Sequence, residues 1–363
     1  MSTEPKLSSY LHGKAIENGT ALSGTFELTS RCNFRCKMCY VHEECNKTDA
    51  LSAEQWLKLG EQAKKAGTLF LLLTGGEPLL RKDFTEIYTE LKKMGFMVSI
   101  NTNGSLVNKY LDLFRKNPPS RVNISLYGTD DEAYESLCGV RLYSQVVENI
   151  RELVKIGVAV KLNTVFTNEN KHQVKEVLDC ATGLGVPVST TAYAYPQVRL
   201  NDDYGKNRGR MTALEAAQCT VECEEYRHQG EDFLKRAEKI LALCNGKKCD
   251  NVECRAGRAA YWITSEGVMQ ACGMLPEIKA NVLELGLDGA WQSILSQTKE
   301  IRLPKECMSC KYADICHSCA AMCFAETGSF NKKPDYVCDL AKNVYRITLE
   351  KAEKVRGALN ENK

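Results

Sequence analysis

The chain has 363 residues, 44% of them apolar and 26% charged, which is enough for one large domain plus a small one, or for two to three ordinary soluble domains. Its 48 basic and 46 acidic residues leave a net charge of only +2, which gives no electrostatic footprint for nucleic acid or an anionic membrane. No run approaches the length of a membrane span, and Met1 to Asn18 carries Glu4, Lys6, Lys14 and Glu17 without the apolar core of a signal peptide, so a cytoplasmic location is expected.

From Ala21 to about Pro196, short apolar runs alternate with stretches of helical period. The expected strands are Thr25 to Leu28, Thr68 to Thr74, Met97 to Asn101, Arg121 to Leu126, Ala159 to Val165 and Pro187 to Ala192. Between them lie helical patterns over Ala53 to Ala66, Phe84 to Met94, Asn108 to Lys116, Asp131 to Leu137 with Ser144 to Ile156, and Asn170 to Leu184. Gly95, Gly157 and Gly185 stand where a left-handed helix cap would precede the next strand. Six such units predict an α/β fold with a parallel sheet, helices outside, and its chemistry at the strands' carboxyl ends. Beyond Pro196 the rhythm breaks. Asn201 to Arg210 is a charged loop, followed by helical patterns over Thr212 to Cys223 and Glu231 to Leu243. There Arg199, Arg208 and Arg210 read as solvated charge, or as partners for a substrate carboxylate. Tyr345 to Lys363 reads as a terminal amphipathic helix.

The 18 cysteines at short, patterned spacings point to metal rather than to disulfides in a reducing compartment. Cys32, Cys36 and Cys39 form C-x3-C-x2-C just after the first strand, so three thiolates share one loop. A zinc knuckle uses such thiols, and so does an iron-sulfur cube, in which three ligands leave one iron open to an outside ligand. Leu71 to Thr74 ends in Gly75-Gly76-Glu77, where a backbone can approach a ligand closely and offer carbonyls to a cation. Thr102-Asn103-Gly104 and Ser125 put polar groups at two further strand ends, Asn103 being equally a turn former.

The cysteine spacing and the Gly-Gly-Glu turn resemble those of the radical S-adenosylmethionine (radical SAM) family. The resemblance implies a partial (β/α)6 barrel and a [4Fe-4S] cluster held by Cys32, Cys36 and Cys39. The open iron of that cluster chelates SAM and reductively breaks it, which yields a 5'-deoxyadenosyl radical. Gly75, Gly76, Glu77, Thr102, Asn103 and Ser125 are then expected at SAM, with Arg141 as a candidate for its carboxylate although its surroundings match poorly. Toward the C-terminus, Cys254-x12-Gly267-x4-Cys272 and Cys307-x2-Cys310-x5-Cys316-x2-Cys319-x3-Cys323, then Cys338, resemble the SPASM extension that holds two auxiliary clusters. The implied ligands are Cys249, Cys254, Cys272 and either Cys319 or Cys323 for the first, and Cys307, Cys310, Cys316 and Cys338 for the second. The family's C-x2-C-x5-C-x3-C is not matched, because the fourth cysteine falls one residue early or three late. Cys319 is favoured, because it keeps the compact loop and Ala320 onward reads as a helix. Cys323 would then be a packing cysteine or a hydrogen-atom donor.

The implied organisation is residues 1–23 as an N-terminal extension, 24–196 the barrel, 197–246 a linker and helical connector, 247–345 a small cysteine-rich domain, and 346–363 a helical tail. SPASM members mostly modify peptides or proteins, so the expected enzyme is a ribosomal-peptide maturase that forms thioether or carbon-carbon crosslinks or epimerises residues. Its expected partners are a peptide substrate and an external one-electron reductant of flavodoxin or ferredoxin type. No winged-helix leader-binding domain is expected before Cys32, so recognition falls to the barrel mouth or to a separate leader-binding protein. The alternatives are oxidation of a small molecule or a protein side chain, and a multi-cluster electron carrier without catalysis. Sulfatase maturation is not expected: that branch places an Asp base right after the cysteine of the G-x4-C element, and here that position is Gly273.

Overall fold

The computed structural model describes residues 6–40, 49–197, 209–242 and 250–361. The first helix, α1 (Lys6–Asn18), has no counterpart among the expected elements. It packs Leu11, Ala15 and Ile16 on Leu22, Phe70 and Ala259, and its buried His12 ring lies 2.8 Å from the Ser23 hydroxyl and stacks on Phe70. Six strand-helix units follow. The strands are β1 (Ser23–Glu27), β2 (Phe70–Thr74), β3 (Met97–Thr102), β4 (Arg121–Ser125), β5 (Val160–Val165) and β6 (Val188–Thr191). The helices between them are α2 (Ala53–Lys65), α3 (Phe84–Lys93), α4 (Leu111–Lys116), α5 (Asp131–Cys138), α6 (Tyr143–Lys155) and α7 (Val174–Gly183).

Local chemistry sets these boundaries. The Ser52 hydroxyl accepts from the Gln55 N–H while the Gln55 side chain accepts from the Ser52 N–H, a reciprocal cap that starts α2. Trp56, Leu59 and Ala63 then recur at helical spacing on its buried face. Gly95, Gly157 and Gly185 have φ of +98°, +80° and +66°, as expected for caps that turn the chain back into a strand.

All six strands run parallel, in the spatial order β6-β5-β4-β3-β2-β1, which is the expected α/β architecture. The sheet does not end at β1. After α8 (Ala213–Arg227) and α9 (Glu231–Ala242), strand β7 (Ala260–Ile263) lies parallel beside β1, and β8 (Val268–Cys272) and β9 (Leu275–Asn281) continue antiparallel from it. The segment bearing Cys272 is therefore the far edge of the same sheet, and it pairs groups that β1 would otherwise leave open. Gly24 permits this, because a Cβ there would run into the Tyr261 hydroxyl, which itself lies 3.1 Å from Thr68 Oγ1.

Helix α10 (Val282–Glu300), broken at Gly286, returns against α2, where the Leu287 N–H donates to Gln62 Oε1 at 2.7 Å and Trp291 Nε1 to Gly19 O at 2.7 Å. The short α11 (Ala313–Cys316) and α12 (Ala320–Thr327) carry cysteines, and α13 (Asp335–Glu361) closes the fold against α8 and α9. The terminal helix starts ten residues before the expected Tyr345. Pro334 accepts from the Cys338 N–H, and Val337, Ala341 and Ile347 are buried along one face. Arg210 is neither solvated nor free for a substrate: it forms a buried pair with Glu326 of α12 and lies 3.4 Å from the Tyr336 ring centroid. Arg199 and Arg208 lie outside the described residues.

Candidate active site

A cavity of about 450 Å³ opens at the carboxyl ends of the parallel strands. One wall is the loop bearing Cys32, Cys36 and Cys39, and the floor is formed by Gly75, Gly76, Thr102, Asn103 and Ser125. The cysteine loop is fixed by backbone bonds. Its Arg35 and Lys37 N–H groups donate to Cys138 O and Leu137 O at 2.8 and 2.9 Å, at the end of α5. Phe34 is buried edge-on to Tyr134, which sets the loop's depth.

The two glycines have a structural reason as well as a chemical one. The Gly76 N–H donates to Thr29 O at 2.7 Å and the Glu77 N–H to Arg31 O at 2.8 Å, and a Cβ on Gly76 would run into the Arg31 carbonyl. Only glycine lets the end of β2 approach the chain leading into Cys32.

Glu77 is fully buried and is not among the cavity-lining residues. Its carboxylate accepts from Thr102 Oγ1 at 2.8 and 2.9 Å, from the Asn103 N–H at 2.7 Å and from the Leu79 N–H at 3.0 Å. Burial nevertheless pushes its pKa up to about 7, against the pull of those donors. Asn103 in turn donates from Nδ2 to Asn33 Oδ1 at 2.9 Å and lies 3.9 Å from the Cys32 sulfur. Glu77, Thr102 and Asn103 thus form a chain that ends on the cysteine loop. Arg141 is half-exposed, pairs with Glu132 and Glu135 at 2.6 Å each, and does not line the cavity.

The cavity also uses residues not singled out in the sequence: Asn101, Asn123 and Asn163 on the strands, Tyr193 and Tyr195 after β6, and Met274 and Met322 from the C-terminal segments. The asparagines had a signal, since polar residues at alternate strand positions mark a wetted inner face. Met274 and Met322 had none, because only tertiary packing brings their segments to the barrel mouth.

The C-terminal cysteines fall into two groups. Burial first, and then the neighbouring Cys319, Cys272 and Cys254, push the Tyr195 hydroxyl well above its ordinary range, so these three thiols lie in the neighbourhood of that phenol. Cys338 is pushed up to about 11 by burial and then by Cys316, Cys307 and Cys310. Cys319 caps α12 half-buried, whereas Cys323 is fully buried on that helix's inner face and is not on the cavity wall, which Met322 occupies. Cys249, Cys45 and Cys244 lie outside the described residues. Of the remaining cysteines, Cys138, Cys219 and Cys223 are buried and Cys180 partly so.

The donor set suits iron-sulfur clusters. Burial pushes the Cys32 thiol up to about 12, and a hydrogen bond with Cys138, followed by burial, raises Cys36 well above its ordinary range, so thiolates there need a cationic partner. Among the described residues no three Cys, His, Asp or Glu side chains close tightly enough for a single ion.

Residues 26–181 match the model of the Radical SAM superfamily. That segment is similar to a radical SAM domain. Curated relatives include a "Probable GTP 3',8-cyclase" of Saccharolobus solfataricus, 35% identical over 161 residues, and one of Sulfolobus acidocaldarius at 36%. These matches cover 44% of this chain, which spans about half the length of those relatives. Among solved structures, Streptococcus suis SuiB bound to precursor peptide SuiA superposes with a TM-score of 0.68 at 19% identity, covering 93% of this chain and 82% of SuiB. Native anSMEcpe with bound AdoMet gives 0.71 at 17%, covering 93% of this chain and 100% of that one. At such identities the likeness is one of fold, and it extends past the radical SAM domain into the cysteine-rich C-terminal region. Among the described residues no helix is long and apolar enough to cross a membrane.

Proposed function

We propose that the chain is a radical SAM enzyme that modifies a peptide, with Cys32, Cys36 and Cys39 holding the SAM-binding [4Fe-4S] cluster. Two auxiliary clusters are assigned to the C-terminal cysteines, Cys254, Cys272 and Cys319 with Cys249 for one and Cys307, Cys310, Cys316 and Cys338 for the other. When bound, the first cluster supplies the electron that cleaves SAM to a 5'-deoxyadenosyl radical. An external carrier of flavodoxin or ferredoxin type provides that electron.

The observation that carries this reading is the cavity itself, which has three thiols on one wall and Met274 and Met322 of the C-terminal region on another. A molecule lying there meets both cysteine regions at once. The Gly75 and Gly76 carbonyls offer acceptors for the SAM amino group, and Asn101, Asn123, Ser125 and Asn163 offer partners for its hydroxyls. The apolar loop side chain Phe34 and the two methionines narrow the water-accessible space, which protects a reactive carbon radical.

A peptide substrate draws support from the fold neighbours, since SuiB is described with a precursor peptide and anSMEcpe with the Kp18Cys peptide. A second reading, a nucleotide substrate, draws support from the cyclase relatives. Anaerobic, iron-loaded protein given dithionite and SAM is expected to yield 5'-deoxyadenosine, and a sample that never does is not a radical SAM enzyme. GTP consumption coupled to that product would replace the peptide reading. Formylglycine is not expected from a sulfatase-derived peptide. Gly273 can transfer no proton, and the space its side chain would fill is taken by the Trp262 ring.

A further inference from the structure

Tyr195 is the point where the SAM cavity and the C-terminal cysteines meet. Its side chain lines the cavity, and its hydroxyl lies 3.9 Å from the sulfur of Cys319. The ring is held from several sides. Pro196 follows in the chain and restrains Tyr195 to an extended backbone. Tyr193, two residues earlier and so on the same side of the chain, packs edge-on against it, with centroids 4.9 Å apart at 79°. Tyr193 in turn donates its hydroxyl to Glu326 Oε1 at 2.7 Å, and Glu326 is locked by the buried Arg210. A carboxylate, a guanidinium and two phenols therefore run from the end of β6 into α12, and the chain ends on a thiol.

We propose that Tyr195 is a positioning residue whose hydroxyl donates a hydrogen bond to the Cys319 sulfur and thereby sets, from the cavity wall, the reduction potential of the auxiliary cluster that Cys319 ligates. The inference rests on the assignment of Cys319 as a cluster ligand made above. A ligating thiolate has no proton to give, so the phenol is the donor of the pair. A hydrogen bond to a cluster sulfur favours the more negative, reduced form and so raises the potential. The consequence is that the readiness of this cluster to take an electron is set by a side chain that also touches whatever fills the cavity. The neighbouring cavity-lining phenol, Tyr193, is instead directed to Glu326.

The test is a redox titration followed by electron paramagnetic resonance on anaerobically reconstituted full-length protein, with iron counted in every sample. Tyr195→Phe is expected to keep the wild-type iron content and the potential of the SAM-binding cluster, and to move one auxiliary potential to a more negative value. Tyr193→Phe, which frees the ring that holds Tyr195, is expected to move the same potential in the same direction by less. A Tyr195→Phe protein with full iron and both auxiliary potentials unchanged overturns the proposal. Cys319→Ala checks the underlying assignment separately. Loss of about four irons, one cluster's worth, supports it. Full iron in that variant means the ligand assignment is wrong, and the hydrogen bond falls with it rather than through its own failure.

Discussion

The two cysteine regions are built in opposite ways. Cys32, Cys36 and Cys39 sit on a loop that the sheet already holds, through Arg35 and Lys37 to the end of α5, Gly76 and Glu77 to Thr29 and Arg31, and Asn103 to Asn33. Cys307, Cys310, Cys316 and Cys319 instead lie on single-turn helices and the links between them, with backbone bonds that span only a few residues. Short helices of that kind do not persist on their own. The first region is a site placed on a scaffold, whereas in the second the metal is expected to be part of the scaffold.

The strongest way to break this contrast is Cys36→Ala, which is expected to abolish 5'-deoxyadenosine formation while iron falls by about four atoms, one cluster. Loss of all three clusters' iron would show that the two regions fold as one metal-dependent unit. Next in size is iron removal by a chelator under anaerobic conditions. Hydrogen exchange is then expected to rise across residues 305–323, with protection of β2 to β5 retained. Equal loss in both places, or none in either, would erase the distinction.

Glu77 sharpens the contrast from the scaffold side. Its folded pKa of about 7 lies above the ordinary 4.5, so the folded state holds this proton more tightly than the unfolded state does. The stabilisation is fully present below about pH 4.5 and is lost as pH rises through about 7, by about 3 kcal/mol over the whole window. Glu77→Gln removes that titration. The stability of wild type relative to the variant is therefore expected to fall as pH rises, read from denaturant midpoints at several pH values. A difference that grows with pH would reverse the sign and remove burial as the dominant influence on this carboxyl. The smallest effect is expected from Arg141→Ala. Its ion pairs with Glu132 and Glu135 are exposed to solvent and salt, so denaturation midpoint and SAM cleavage should both stay at wild-type values. A marked loss of SAM binding would restore Arg141 to the site.

Much of this protein is legible in local sequence. Six apolar runs between amphipathic segments specify β1 to β6, because strand and helix periodicities are properties of neighbouring residues. The Cys32 loop and Gly75-Gly76 could be read for the same reason, since each motif lies within a few residues and its chemistry needs no distant partner. Tertiary structure decided the rest. No local pattern announces that β7 pairs with β1, because a parallel neighbour more than 200 residues away is chosen by which sheet edge is left open. Glu77 reads as a ligand contact in its motif, yet its carboxylate is buried on Thr102, Asn103 and Leu79, and only the approach of β3 to β2 supplies two of those donors. The same is true of Cys319 and Cys323. They are four residues apart on one short segment, and spacing ranks them only weakly. The packing of α12 buries Cys323, turns Met322 to the cavity, and leaves Cys319 beside Tyr195, Cys272 and Cys254, because a helix sends residues four apart along one face but its cap lies outside that face.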